Sequence, residues 1–451
     1  MKRKYVVAAF TATVVTAAGL TGCSAGEGNG GDGTDGPVTI TILESKQTNI
    51  DAISKEIPGF EAAMKEQGKD ITVELIPDLL TDEQLKTKLT QQLIAGQAPD
   101  VLDINENMAI AWSSAGYLAP LDDYLEDWDG WSHYYPAVKE AMTRQDGQIY
   151  SLPSGAGVLN LFYRKDILEQ IGVDTSQPET WDELIDRLVE VKEATGDTPI
   201  VVPAGTAWGG GTWGEGFQPL LGGTDTDYYD SETGTWDLES PGWLAVFELY
   251  ADLVSNGLMP VEDLQNPNPW EPTKYVKFPE GDIQVAAQGT WGWKFDWGPD
   301  GATPIEGLTE KVSTWQWPGL RDGDEPYGWS STGGGYAISQ DSEHKEAAFE
   351  FIKYLSSGKP LAEQLVASGA ASARDDLDDV APYSEEPQLL QAGEDLANSV
   401  FVVTGDGADQ IGQAVATATE LILSGSANGQ QAYEAFVKDA TELLGPSLVK
   451  E

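Results

Sequence analysis

Eight of the chain's 15 tryptophans fall in four short stretches: Trp208 and Trp213 in AWGGGTWGEGF, Trp291, Trp293 and Trp297 in GTWGWKFDW, Trp315 and Trp317 in WQWPG, and Trp329 in YGWS. Glycine neighbours leave these indoles uncovered by local side chains. An uncovered indole offers a flat apolar platform of the kind that fits the C–H face of a sugar ring. Carboxylates, amides and arginine bind the hydroxyl edge. Trp181 and Trp243 stand at predicted helix starts and are expected to pack inside. The reactive inventory is otherwise thin. His133 and His344 are the two histidines and Cys23 is the one cysteine, so there is no disulfide framework and no Cys-rich zinc site. No G-x-S-x-G, H-E-x-x-H or P-loop is present, and no G-x-G-x-x-G opens a helix after a strand. Asp225-Thr226-Asp227 and Asp322-Gly323-Asp324 do not complete a spaced calcium loop, so no metal and no cofactor is expected.

The 451 residues carry 26 Lys and Arg against 74 Asp and Glu, a formal charge of −48. Such a surface argues against a nucleic-acid partner, whose phosphates need cations, and against electrostatic docking on anionic lipid. It is compatible with a neutral ligand. The length suits two to three domains.

Met1–Lys4 is basic and Tyr5–Leu20 is apolar, which reads as a signal segment too short for a spanning helix. Leu20-Thr21-Gly22-Cys23 follows and resembles a bacterial lipobox, with Cys23 as the lipid acceptor. An ordinary cleaved signal or an uncleaved anchor is the alternative. Ser24–Gly36 has no apolar residue larger than Ala and is expected to be a flexible tether.

The elements that must hold the tryptophans follow. Val38–Leu43 and Ile71–Ile76 read as strands, and Val101–Ile104 as a third. The pattern predicts a helix over Ser54–Glu66, with Pro58 near its first turn. A second helix over Thr81–Gly96 has Thr81 and Gln84 in capping-box spacing. Further helices are predicted over Trp181–Thr195, Trp243–Asn256, Lys345–Leu355 and Gln431–Leu444. Strands alternating with helices indicate an α/β fold. Ala207–Asp230 and Gly289–Trp329 are Gly- and Trp-rich, without helix periodicity, and read as long working loops.

Several stretches, taken in order, resemble the family 1 extracellular solute-binding proteins of ABC importers, the group that contains maltose-binding protein. They are Ile94–Val101 (IAGQAPDV), Ala115–Leu121 (AGYLAPL), Asp146–Pro153 (DGQIYSLP), Phe162–Asp166 (FYRKD), Pro178–Leu184 (PETWDEL), Gly289–Trp291 (GTW) and Gly333–Ser339 (GGGYAIS) followed by Ala347–Ile352 (AAFEFI). The resemblance implies two α/β lobes joined by hinge crossovers, with a ligand cleft between them. On that basis residues 1–22 are expected to be the signal peptide and 23–36 the tether. Residues 37–152 plus 319–360 would form the N-terminal lobe, and 153–318 plus 361–451 the C-terminal lobe. Crossings are expected near Leu152–Gly157, Trp317–Gly319 and Ser357–Leu361.

The resemblance also implies where ligand is held. Gln47 lies in the loop after the first strand, and Glu106 and Asn107 in the loop after the third. Trp208 and Trp213 lie in the second-lobe loop, Trp291 in the G-x-W motif with Trp293 beside it, and Arg374 in Ala373-Arg374-Asp375-Asp376. Trp329 joins this set as an aromatic candidate. The expected function is a monomeric, lipid-anchored receptor outside the cell membrane that captures carbohydrate, an oligosaccharide, and delivers it to the permease subunits of an ABC importer. It is expected not to be an enzyme. The rival classes are a secreted carbohydrate-active hydrolase and a surface glycan adhesin. A hydrolase needs a flanking carboxylate pair, which so acidic a chain can always seem to supply.

Overall fold

The computed structural model describes residues 36–450 apart from 154, 232, 333 and 404. The signal segment, Cys23 and the tether as far as Asp35 lie outside the described residues. In chain order the strands are β1 (Val38–Glu44), β2 (Ile71–Pro77), β3 (Val101–Ile104), β4 (Ser151–Leu152), β5 (Gly157–Arg164), β6 (Ile200–Val201), β7 (Tyr229–Asp230), β8 (Thr235–Trp236), β9 (Val285–Gly289), β10 (Val312–Trp315), β11 (Trp329–Ser331), β12 (Gly335–Ile338) and β13 (Val400–Phe401). They form two main sheets. The first has the order β2-β1-β3-β12-β4, with β1, β2 and β3 parallel and β12 antiparallel. The second has the order β13-β11-β5-β9-β6, with β10 pairing the far half of β5. The hairpin β7–β8 stands apart.

Each sheet has its own apolar core. Ile40, Ile42, Phe60, Tyr336, Phe351 and Leu355 fill the first. Phe217, Trp236, Trp243, Phe247, Trp297 and Trp329 help to fill the second, which is larger. The helix after β1, α1 (Gln47–Glu66), begins seven residues before the sequence pattern predicts and carries Pro58 in its interior. The proline removes one backbone donor. Ile50, Ala52, Ile53, Phe60 and Met64 bury one continuous face across it, and that burial carries the helix through. The next helices are α2 (Asp82–Ile94), with the Thr81–Gln84 capping box formed, and α3 (Glu106–Ser114), capped by Asn105.

The chain leaves the first sheet after Leu152 and enters the second at Gly157. It returns between Ser331 and Gly335, whereas the sequence placed this crossing near Trp317–Gly319. The reason lies in Trp317. Its backbone pairs with Tyr327 and its indole donates to the Leu159 carbonyl at 2.9 Å, which ties it to the second core. The return is tight. A Cβ on Gly334 would lie 1.9 Å from the Ile104 carbonyl oxygen, and its φ of +97° suits glycine alone. The third crossing also comes later than Ser357–Leu361. Gln364 accepts the Tyr336 hydroxyl at 2.6 Å, and Ala392 and Leu396 pack in the first core. The chain rejoins the second sheet at Val400, where β13 pairs β11.

Candidate functional site

The first two crossings, Leu152 to Gly157 and Ser331 to Gly335, meet at one end of each sheet. In the first, Gly335 pairs with Ile104, so the return enters beside the C-terminal ends of β1 and β3. In the second, Leu159 near the start of β5 pairs with Gly289 at the end of β9, and β6 runs parallel to β9. Loops leaving the C-terminal ends of parallel strands are where open α/β sheets bind ligands. Here both sheets present those ends at the crossovers.

The first wall is acidic. Glu44 ends β1, Asp103 stands in β3, and Glu106 opens α3. Asn49 of α1 donates to Asp103 at 3.0 Å, which brings the loops after β1 and β3 together. Burial pushes Glu106 up to about 7, opposed by the Arg144 guanidinium. Burial likewise lowers Arg144. A cavity of about 820 Å³ runs alongside, lined on one side by Glu106, Ser113 and Arg144 and on the other by Tyr229 and Phe401. Gln145 spans the two sides and donates to the Ser231 carbonyl at 2.7 Å.

The second wall is built on two wide π-type turns, Thr212–Phe217 and Thr273–Lys277. Such turns recur at functional sites because they re-aim side chains. Lys274 is buried. It donates to Glu215 at 3.1 Å and to Gln288 at 3.3 Å, and its ammonium sits 5.2 Å from the Trp208 ring centre. Gln288 donates to Asp296, whose carboxyl burial holds above the usual range. Trp291 follows β9 and remains partly exposed. Its ring lies against Gly157, where an added Cβ would be 3.4 Å away, and against Gly289, where it would be 2.0 Å away. The indole therefore rests on bare backbone at the first crossover.

The candidate residues separate on this geometry. Trp291 is at the crossover. Glu106 is partly buried in the first wall, and Gln47 and Asn107 are exposed on the turns beside it. Gln47 lies within the first turn of α1, not in a free loop, and donates to Asp51 at 2.8 Å. Trp208 is buried in the second wall, edge-on to Trp270 with centroids 6.1 Å apart. Trp213, Trp293, Trp329 and Arg374 are buried as well, where the sequence reading expected them to face ligand. Trp213 stacks on Trp243 at 5.9 Å and Trp293 packs on Phe162 at 4.9 Å. Trp329 is buried in β11 with its ring over Gly222. Each fills the large second core, where an aromatic surface is worth more out of water than at a rim. Arg374 is 3% exposed, paired with Asp376 at 2.6 Å and bonded to the Ser356 carbonyl at 3.0 Å. Each of its three guanidinium nitrogens already holds a protein partner.

Sequence reasoning placed Glu44 in the ligand-contacting loop after the first strand but gave it no role of its own, and it passed over Asp103 and Arg144. Glu44 and Asp103 carried a signal: each is a lone acid in an otherwise uncharged strand, VTITILE and VLDI. Lys274 and Glu215 carried none, because their meeting depends on the two π turns.

Comparison with known proteins agrees with this architecture. The family of bacterial extracellular solute-binding proteins matches residues 48–359. An arabinooligosaccharide-binding protein of Halalkalibacterium halodurans is 22% identical over 390 residues, covering 84% of this chain and 81% of that protein. A maltotriose-binding protein of Pyrococcus abyssi is 26% identical over 303 residues, 66% of this chain and 58% of that one. Among solved structures, the sugar-binding protein MalE of Xanthomonas citri superposes with a TM-score of 0.74 at 19% identity, over 90% of this chain and 97% of that chain. The cyclic alpha-maltosyl-1,6-maltose binding protein of Arthrobacter globiformis gives 0.73 at 21%, over 91% and 99%. These similarities agree with two α/β lobes, and the chain belongs to the bacterial extracellular solute-binding protein family.

Proposed function

We propose that the protein is a receptor that captures an oligosaccharide between its lobes and passes it to the permease subunits of an ABC importer. One lobe comprises residues 37–152 and 335–397, the other 157–331 and 400–450. The protein acts as a monomer, without catalysis, at the outer face of the cell membrane, held by lipid on Cys23 behind the 24–36 tether. The observation that carries the sugar reading is Trp291, a partly exposed indole laid on Gly157 and Gly289 where the chain crosses between sheets. Hydroxyl-binding groups stand on both walls: Glu106, Asn107 and Gln47 on one, and the Glu215–Lys274 pair on the other. A cavity of about 820 Å³, which Glu106 and Arg144 line and Trp291 does not, has room for more than one ring. The names of the relatives, among them binders of arabino-oligosaccharide and maltotriose, support the same ligand class. A ligand touching both walls favours the closed state by its differential affinity for it.

The test is calorimetry with a panel of oligosaccharides and their monomers, alongside product analysis. Saturable binding of one oligosaccharide series, tighter with each added ring and with no product formed, is the expected result. Equal affinity for monomer and oligomer would remove the oligosaccharide assignment. Released product would move the protein to the hydrolases, and preference for polymer over every oligomer to the adhesins.

A further inference from the structure

β1 and β3 are apolar inside except for Glu44 and Asp103, which sit side by side at the ends facing the crossovers. Glu44 is 2% exposed. Its Oε1 accepts from the backbone N–H of Ser45 at 2.8 Å and of Lys46 at 2.9 Å, and so turns the chain from β1 into α1. Its Oε2 is buried and meets no donor among the described residues. Asp103 stands next to Glu44 on the neighbouring strand, lines the same hollow, and its carboxyl already accepts from Asn49. A hollow of about 40 Å³, lined by Glu44, Ser45, Lys46, Asp103, Asn105 and Met108 among others, lies beside the pair.

Two carboxylates have only acceptors, so they bond to one another only through a proton. The surrounding elements offer nothing else. On α1, Asn49 is a neutral donor and Lys46 is solvent-exposed. β2 contributes a backbone N–H, from Asp78 to the Glu44 carbonyl at 3.0 Å. α2 and α3 bring Leu85 and Met108, and Asn105 is uncharged. On β12 the Tyr336 hydroxyl is committed to Gln364 at 2.6 Å, and its ionisation is pushed well up by burial and then by both carboxylates.

We propose that Glu44 and Asp103 hold one proton between their carboxyl groups, and that this proton fixes the Ser45–Gln47 turn in the form that grips the ligand. The second half rests on the function proposed above. Glu44 is thus a positioning residue acting through the turn it caps. Burial, and then the neighbouring Asp103 charge, push Glu44 up to about 8. The folded state therefore holds a proton that the unfolded chain releases near 4.5. Its contribution is full below that unfolded value and is lost as pH rises through about 8. Above that point two like charges stand side by side, and their repulsion loosens the turn against the firmer hold of the Ser45 and Lys46 amides on an ionised Glu44.

Glu44→Gln keeps an oxygen for the Ser45 and Lys46 amides and offers Asp103 a permanent donor. It imitates the protonated pair and cannot titrate. The first measurement is the melting temperature of the unliganded protein and of E44Q across this range. The variant's advantage should widen from about pH 5 to about 8 and then level off. Should E44Q fail to fold, Asp103→Asn serves in its place and should flatten the same profile. An advantage independent of pH in both variants would overturn the shared proton. The second measurement is hydrogen exchange at the Ser45 and Lys46 amides, referenced to E44Q. Protection should fall about tenfold one pH unit above the titration point, and an unchanged ratio would overturn the positioning role. With an oligosaccharide that binds at pH 6, Kd should weaken by about the same factor in the wild type and not in E44Q. Absence of binding to every sugar at pH 6 would refute the proposed function while leaving the exchange result to judge the proton.

Discussion

Gly289→Ala should weaken ligand binding without replacing any side chain that could bind ligand. The backbone at Gly289 is extended, with φ −89° and ψ 167°, so alanine is conformationally free to stand there. The difficulty is the new methyl. It would sit 2.0, 2.3 and 2.3 Å from three carbons of the Trp291 six-membered ring. Ordinary carbon contacts lie near 3.5 Å, so the indole must retreat by about 1.5 Å or tilt off the strand. Because Trp291 is partly exposed it can swing outward, and the loss of stability should stay near 1–2 kcal/mol. The platform is another matter. If a sugar face lays two or three C–H groups on the indole, at about 0.8 kcal/mol for each one buried, displacing the ring costs about 2 kcal/mol, or about 30-fold in Kd. Trp291→Ala should match that loss and Trp291→Phe should recover part of it. The assay is calorimetric titration with the best oligosaccharide of the panel, with thermal unfolding run in parallel. If G289A and W291A both bind within twofold of the wild type while remaining folded, Trp291 is not a ligand platform and the argument from its bare glycine seat is wrong.

The buried guanidinium of Arg374 should be a structural anchor. Asp376→Ala leaves it without its carboxylate and should cost about 3 kcal/mol of stability by denaturant titration, with ligand affinity unchanged in the surviving folded protein. The Arg374 hydrogen bond and charge hold Asp376 below the usual carboxylate range against its own burial. The pair's contribution is therefore present above about pH 4 and lost as pH falls through the depressed value, and D376A should lose that part of the acid unfolding profile. Trp213→Ala and Trp329→Ala should each destabilise by about 3–5 kcal/mol through cavities in the second core, with no specific change in Kd. Gly334→Ala should do comparable damage or prevent folding altogether, since its methyl meets the Ile104 carbonyl and its φ excludes a side chain. The check is soluble yield and thermal unfolding.

What was legible in the sequence was whatever depends on neighbours along the chain. The Thr81–Gln84 capping box, the Trp181–Thr195 helix and the first three strands all appear where their local patterns put them. Where a local rule met a longer-range one, the longer-range one prevailed. Pro58 marks a helix start by its own chemistry, yet the apolar face from Ile50 to Met64 draws the helix through it. The crossovers were misplaced for a similar reason. Nothing local distinguishes WQWPG, which bonds to Leu159 and stays with the second sheet, from the Gly334–Gly335 pair that makes the return.

The site divides along the same line. Tryptophan is ambiguous by type, because the flat surface that suits a sugar also suits another indole. Trp213, Trp243, Phe217 and Tyr250 stack into a core, while Trp291 alone of the G-x-W stretch stays partly exposed on a glycine seat. An acid inside an apolar strand is less ambiguous. Burying a carboxylate is costly unless something at the site uses it, so Glu44 in VTITILE and Asp103 in VLDI were stronger pointers than any indole. Both stand at the strand ends nearest the crossovers, where open α/β sheets bind. In an α/β chain of this composition, a misplaced charge points to the crossover end of the sheet and an aromatic points to the core, unless glycine holds the ring at the surface.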